Sequence, residues 1–196
     1  MTEFLLHAKT PDLPQLEFCY TTLEDELAQF MLSDLQSVYD SRYESQANAP
    51  HEKKEINSVP AEDFTAEATG AFLLLLSEGQ AVGGGAIMKC RNPIAEENSA
   101  EFKRIWTHPD YRGKGIGKFV LNELEFEAVR LGYDHIFLTT GPAQPEAVGL
   151  YQSLGYIHLP ADSDDEHLHH AFKKPLAEHR ALHEAGQRTR GEISDS

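Results

Sequence analysis

Between Ile105 and Arg130 a strand pattern runs through a proline turn into a loop rich in Arg, Gly and Lys, then out into a long helix. This joint limits the folds open to the chain more than any other feature. The loop reads Arg112-Gly113-Lys114-Gly115-Ile116-Gly117-Lys118. A helix start carries unpaired backbone N–H groups and the positive end of the helix dipole. Glycines let that backbone approach a phosphate closely, and Arg112, Lys114 and Lys118 add positive charge. The chain as a whole has 32 acidic against 17 basic residues and a net charge of −15. Three cations inside seven residues are therefore a local exception, and they mark an anion site. A Walker loop requires Lys followed by Ser or Thr, yet Lys118 is followed by Phe119. A dinucleotide fingerprint requires a third glycine three residues after Gly115, where Lys118 stands.

The surrounding periodicities give the rest of the fold. Leu23, Leu27, Phe30, Met31, Leu35 and Val38 recur at helical spacing, and Thr21 or Thr22 with Glu24 or Asp25 predicts a capped helix start. The pattern fades after Tyr43 into a polar connection, with a short helical turn expected at Pro60–Glu67. Ala71–Ser77 and Ala81–Cys90 flank a Ser-Glu-Gly-Gln turn and predict a hairpin. Gly83, Gly84 and Gly85 in its second strand indicate a bulge or the close approach of another backbone. Ala100–Thr107 reads as a strand, Gly115–Leu131 as a helix closed by Gly132, and His135–Thr140 as a strand. Pro145 opens a helix ending at Gly155, followed by strands at Tyr156–Leu159 and His167–Lys173 around an acidic loop. The expectation is an α/β (α+β) domain over residues 1–176, with a core at 71–176 and a helical part at 1–70. Residues 177–196 read as a polar tail, helical or frayed.

The Arg-x-x-Gly-x-Gly run Arg112–Gly117 resembles the coenzyme A pyrophosphate loop of the GNAT N-acetyltransferases. Glu146-Ala147-Val148-Gly149-Leu150-Tyr151-Gln152-Ser153-Leu154-Gly155-Tyr156 resembles that family's second signature, about one strand further on. Thr139–Ala147 and Ala100-Glu101-Phe102-Lys103-Arg104 are similar to segments of bacterial GNATs of unassigned substrate. The resemblance covers roughly Ala71–Leu176. It implies a GNAT fold, with a mixed and mostly antiparallel sheet, helices on both faces and a splayed strand pair. It also implies acetyl-CoA as co-substrate and transfer of its acetyl group to an amine of a small molecule or a peptide. The pantetheine arm would lie along Ile105 and Thr107. The pyrophosphate would lie on Arg112, Gly113, Lys114, Gly115, Ile116, Gly117 and Lys118. Gln144 occupies the region where many members carry an asparagine. A homodimer is compatible with the family, and so is a coenzyme-binding sensor without turnover.

Two residues are catalytic candidates. Tyr151 matches the family tyrosine near the coenzyme sulfur and can donate a proton to the leaving thiolate; otherwise it is a core aromatic. Glu101 stands where several members place a base; otherwise it pairs with Lys103 or Arg104. Simple alternation puts Glu101, Lys103, Ile105 and Thr107 on one face of the strand, opposite Phe102, Arg104 and Trp106. The glycines at 83–85 would open space near the thioester for a different acyl group.

Other classes are disfavoured by what the chain contains. Its negative charge repels nucleic acid and anionic membranes. The longest apolar run, Ala71–Leu76, is too short to span a bilayer. Cys19 and Cys90 form no metal or disulfide pattern, which fits a reducing, cytoplasmic compartment. His167 and His169 share a strand face, but no further ligand stands at convincing spacing, so no metal is expected. The acidic loop Asp162–Glu166 either draws a cationic acceptor or is simply solvated.

Overall fold

A computed structural model describes residues 10–43, 59–160 and 170–194. Its centre is the hairpin of β2 (Ala71–Ser77) and β3 (Gln80–Lys89), and every residue of β2 is buried. Leu73 and Leu75 point into one core, and Phe72, Leu74 and Leu76 into another. A strand buried on both faces reads as a continuous apolar run and requires layers above and below the sheet. Each such leucine contributes about 1.5–3 kcal/mol on burial, so β2 anchors both layers. Helix α1 (Glu26–Tyr43) covers one face through Ala28, Met31, Leu32 and Leu35. Helices α2 (Ile116–Arg130) and α3 (Pro145–Ser153) cover the other.

The sheet contains β1 (Leu16–Thr21), β4 (Ser99–Thr107), β5 (His135–Thr140), β6 (Ile157–His158) and β7 (His170–Pro175) as well, in the order β1-β2-β3-β4-β5-β7-β6. Only β4 and β5 pair in parallel. That pairing is short. Ser99, Ala100 and Glu101 oppose His135, Ile136 and Phe137, and then it stops, whereas β5 pairs with β7 over its whole length. From Lys103 onward β4 leaves β5, which is the expected splay.

Of the readings of the three glycines the bulge holds, while what presses on them from the helices is side chains and not a backbone, and the space is not open. A Cβ on Gly83 would lie 2.6 Å from Ile116 Cγ2, and one on Gly84 2.7 Å from Met31 Sδ. A Cβ on Gly85 would meet Ile105 and Leu124 side chains at 2.8 Å. The missing side chains let α1 and α2 rest on the β3 backbone, so the room is already filled. The register also shifts between Gly84 and Ala86, opposite a bulge in β4 where Arg104 has φ 56°.

That bulge corrects the predicted alternation. Phe102 and Ile105 pack in the α2-side core, and Trp106 packs with α1. The extra residue reverses the phase after Arg104. Ile105 and Thr107 therefore face away from the side occupied by Glu101 and Lys103, which pair with Met88 and Ala86.

One more boundary differs from expectation. Helix α1 begins at Glu26, with the Leu27 amide donating to Asp25 Oδ1 at 2.8 Å. Thr21 ends β1 instead, opposite Phe72. The edge strand β1 holds four apolar residues of six, Leu16, Phe18, Cys19 and Tyr20, but they do not alternate cleanly and so give no strand period in the sequence. Segment 177–194 is helical (α4), and its first turn docks where His179 is buried beside Glu125 and Arg180 pairs with Asp134. His167, His169 and Asp162–Glu166 lie outside the described residues. Among the described residues no helix is long and apolar enough to cross a membrane, and no group of three or more ligating side chains could hold a metal.

Candidate active site

The divergence of β4 from β5 opens a cleft of ≈ 480 Å³. Its floor is the end of β4 (Ile105, Trp106, Thr107), one wall is the glycine loop, and another is the start of α3. Leu35, Val38 and Arg42 of α1 close it from the remaining side. Of the residues expected to contact coenzyme, Ile105, Thr107, Arg112, Gly113, Gly115, Ile116, Gly117, Lys118 and Gln144 all line this cleft, together with Tyr151. Lys114 does not; its ammonium sits 4.8 Å above the Tyr111 ring.

The loop is shaped by backbone conformation. Gly113 and Gly115 have φ 76° and 84°, values that L side chains rarely adopt. Gly115 is the N-cap of α2 and offers no capping side chain, and the first turn of α2 holds no acidic residue. The opening N–H groups of α2 are thus left for an incoming anion. Gly117 has a different reason to be small. A Cβ there would stand 3.1 Å from Leu150 Cδ2, so α2 and α3 approach each other across the loop.

Tyr151 is 5 % exposed and packs against Tyr156 and Phe172, with centroids 5.6 and 5.4 Å away. Burial, and then the nearby Tyr39, push its phenol above the ordinary tyrosine range. It is held protonated. Gln144 caps α3, and its Oε1 accepts from the Thr140 hydroxyl at 2.6 Å. The side-chain oxygen is therefore engaged by the end of β5, which leaves the amide NH₂ as its donor.

Glu101 has a different setting. It is buried on the α1 face of β4, its Oε1 lies 2.5 Å from Lys103 Nζ, and it does not line the cleft. Of its two readings, the geometry supplies the ion pair. Arg104 does not line the cleft; its guanidinium lies 4.4 Å over the Phe64 ring, and burial lowers its pKa to about 10.

Three participants went unread in the sequence. Arg42 Nη1 donates to the Ala143 carbonyl at 3.0 Å, and Nη2 pairs with Glu146 Oε1. Trp106 Nε1 donates to Asp34 Oδ2 at 2.7 Å, which fixes α1 against the end of β4. The available signal was the helical stripe itself, since Leu35, Val38 and Arg42 follow one another at spacings of three and four.

Residues 32–156 match the family model described as Acetyltransferase (GNAT) family. An uncharacterised N-acetyltransferase of Escherichia coli, YjgM, is 30% identical over 89 residues, which are 45% of this chain and 52% of that protein. Human N-acetyltransferase 8B is 28% identical over 123 residues, 59% of this chain and 54% of that one. The chain spans about half the length of these relatives. Among solved structures, an acyl-CoA N-acyltransferase from Klebsiella pneumoniae superposes with a TM-score of 0.61 at 24% identity, covering 83% of this chain and 98% of that one. An acetyltransferase from Salmonella typhimurium, solved with acetyl-CoA, superposes with a TM-score of 0.53 at 16% identity, covering 83% and 95%. At these identities the two structures speak for the fold alone.

Proposed function

The chain belongs to the GNAT acetyltransferase family, and from that premise we propose that it transfers the acetyl group of acetyl-CoA to a primary amine of a small molecule or a protein. The observation that carries this reading is the meeting of an anion-binding helix start and a protonated, buried tyrosine in one cleft, at the point where two parallel strands part. The family match over residues 32–156 supports the choice of donor.

In this reading the N–H groups at the start of α2, with Arg112 and Lys118, bind the pyrophosphate. The splayed backbone of Ile105 and Thr107 has lost its β5 partners and faces the pantetheine arm. The Gln144 amide donates to the same arm from the α3 side. The acceptor amine, once deprotonated, attacks the thioester carbonyl; the C–S bond breaks, and Tyr151 gives its proton to the departing thiolate. The proton shed by the new amide nitrogen passes to solvent, and Tyr151 regains one from there. Glu101 pairs with Lys103 and takes no part in the proton transfers, so water removes the first proton from the ammonium.

Calorimetric titration with acetyl-CoA, beside CoA and NADH, tests the donor site. Micromolar binding of acetyl-CoA with none of NADH is expected. Release of free thiol on adding a panel of amines separates the enzyme from a sensor that binds without turnover, and silence across the panel despite tight binding would favour the sensor.

A further inference from the structure

The cleft contains an ion pair that coenzyme binding does not call for. Arg42, in the last turn of α1, spans to the start of α3, pairing with Glu146 and donating to the Ala143 carbonyl at 3.0 Å. Both charged residues line the same cleft as Tyr151. Their exposures differ, at 25% for the Arg42 side chain and 60% for that of Glu146. Tyr39, three residues before Arg42, is close enough to Tyr151 to raise its phenol pKa. Glu146 and Tyr151 stand five residues apart on α3, about 7.5 Å of helix rise, so Arg42, resting on Glu146, lies about that far along the cleft from the group that would meet the coenzyme sulfur.

Resting on the acetyl-transfer reading above, we infer that Arg42 selects the acceptor, binding a carboxylate that lies within a few bonds of the amine to be acetylated. The substrate class is then an amino acid or a compound with the same close pairing of amine and carboxylate. The Glu146 carboxylate pairs with the guanidinium, so the Arg42 fork already accepts one carboxylate in this cleft. Glu146 is mostly exposed and loses little by turning into water, because a solvated ion pair contributes little. The Ala143 carbonyl keeps the guanidinium oriented after the exchange. Arginine suits this task through its planar fork of donors, which grips a carboxylate by two parallel hydrogen bonds.

Charge in the cleft points the same way. Arg42, Arg112 and Lys118 line it against the one carboxylate of Glu146. The phosphates of the coenzyme answer Arg112 and Lys118 at the loop end, and an acceptor carboxylate answers Arg42. A polyamine would bring further positive charge to a wall that already carries it, and is disfavoured.

The experiment compares kcat/KM for three matched acceptors: an amino acid, its amide, and the amine lacking the carboxyl group. A hydrogen-bonded charged group supports a preference for the acid of about tenfold or more. Arg42→Gln should bring the three within about threefold of one another, while acetyl-CoA affinity by calorimetry stays put, because only the acceptor's charge partner is removed. Arg42→Lys, keeping the charge without the fork, should retain part of the preference. Glu146→Gln should lower KM for the acid, since its competitor is gone. Amides or plain amines acetylated as well as acids would overturn the assignment, and so would an unchanged preference in Arg42→Gln. A loss of affinity for acetyl-CoA but not for its 3′-dephospho form in that variant would move Arg42 to the coenzyme and overturn it too. Acetyl-CoA bound with no acid acetylated sinks the acceptor assignment alone; acetyl-CoA not bound sinks both readings.

Discussion

The strands β4 and β5 run side by side at one end and apart at the other, and their two ends treat charge differently. At the closed end nearly every charge is fixed by a neighbour. Asn98 Nδ2 donates to the Gly132 carbonyl at 2.9 Å and to Asp134 Oδ2 at 2.7 Å; Arg180 pairs with Asp134 at 2.7 Å, and Lys173 with Glu96 at 2.6 Å. Deeper in, Lys174 Nζ lies 2.8 Å from both oxygens of Glu125, and His179 Nε2 2.7 Å from one of them. At the open end Arg112, Lys114 and Lys118 form no ion pair among the described residues, and the helix start beside them lacks a cap. Charge at the closed end holds α4, α2 and β7 together, whereas at the open end, beside the Arg42–Glu146 pair, the cleft-lining Arg112 and Lys118 are left for a ligand. One sheet thus supplies a rigid hinge and a receptive mouth.

The largest effect should come from breaking the closed end. Glu125 is 2% exposed, and Lys174→Met would leave its carboxylate with His179 and the Tyr156 hydroxyl but without its lysine partner. Removing one member of a buried pair typically costs about 3–5 kcal/mol, read here as a fall in the denaturant midpoint. Acetyl-CoA binding below the transition should persist, because the cleft lies at the other end of the sheet. The same cluster gives a pH signature. Burial raises the Glu125 pKa, but the His179 hydrogen bond and Lys174 more than offset it, so the folded value lies below the ordinary one. Its contribution is then present above the unfolded carboxylate pKa and is lost as pH falls through the lower folded value. Wild-type stability should decline on that acid side, and Glu125→Gln should flatten the decline while lowering stability at neutral pH. A parent-like acid slope in Glu125→Gln would remove the cluster from this role.

Breaking the mouth comes next. Gly115→Glu places a side chain at φ 84° and a negative charge at the uncapped start of α2. No atom lies within 4 Å of the new Cβ, so the penalty is conformational and electrostatic and not a collision. Acetyl-CoA affinity should drop by about a hundredfold or more, with the denaturant midpoint moving far less than in Lys174→Met. Retained affinity would mean that the loop is not the phosphate site.

These two ends were not equally legible in the sequence. The mouth was nearly all there, because its demands are local. A helix start that binds an anion needs glycine at Gly113 and Gly115 and cations close by, and the residues stand in one continuous run. Helix α2, helix α3 and the β2–β3 hairpin announced themselves through period and turn chemistry. What failed to show depends on contacts far apart in the chain. Alternation along β4 was misread because nothing in the local sequence says that Arg104 takes φ 56°; the bulge answers to β3, opposite Gly85. Arg42 was missed because its partners stand about a hundred residues away, at Ala143 and Glu146. The edge strand β1 was missed because its partner, β2, gives it more definition than its own six residues do.

Tyr151→Phe sharpens the comparison inside the mouth, by separating binding from chemistry. The ring packs against Tyr156 and Phe172, contacts that phenylalanine keeps, so stability and acetyl-CoA affinity should stay close to the parent's. Removing a general acid lowers turnover by about 10²-fold at the low end of the usual range, and a thiolate is itself a good leaving group, so the expected loss is about 10- to 100-fold in kcat. A parent-like kcat would return Tyr151 to a purely structural place in the core.

The smallest effect tests where along β4 the boundary between the two ends falls. Glu101 is the last residue of β4 that pairs with β5, and its carboxylate rests on Lys103. If it belongs to the closed end, Glu101→Gln removes one ion pair whose lysine can still reach water along its flexible stem. The expected cost is about 1 kcal/mol or less of stability, with kcat unchanged and the acid limb of its pH profile in place. If it belongs to the mouth, that limb is depressed, since a base would have been taken away. Phe102 and Ile105 share the α2-side core while Glu101 lies on the α1 face with Trp106, and of these two only Trp106 lines the cleft. A depressed limb would require the acceptor to reach along the α1 face of β4 past the bulge, placing its amine on the far side of Arg104 from Thr107.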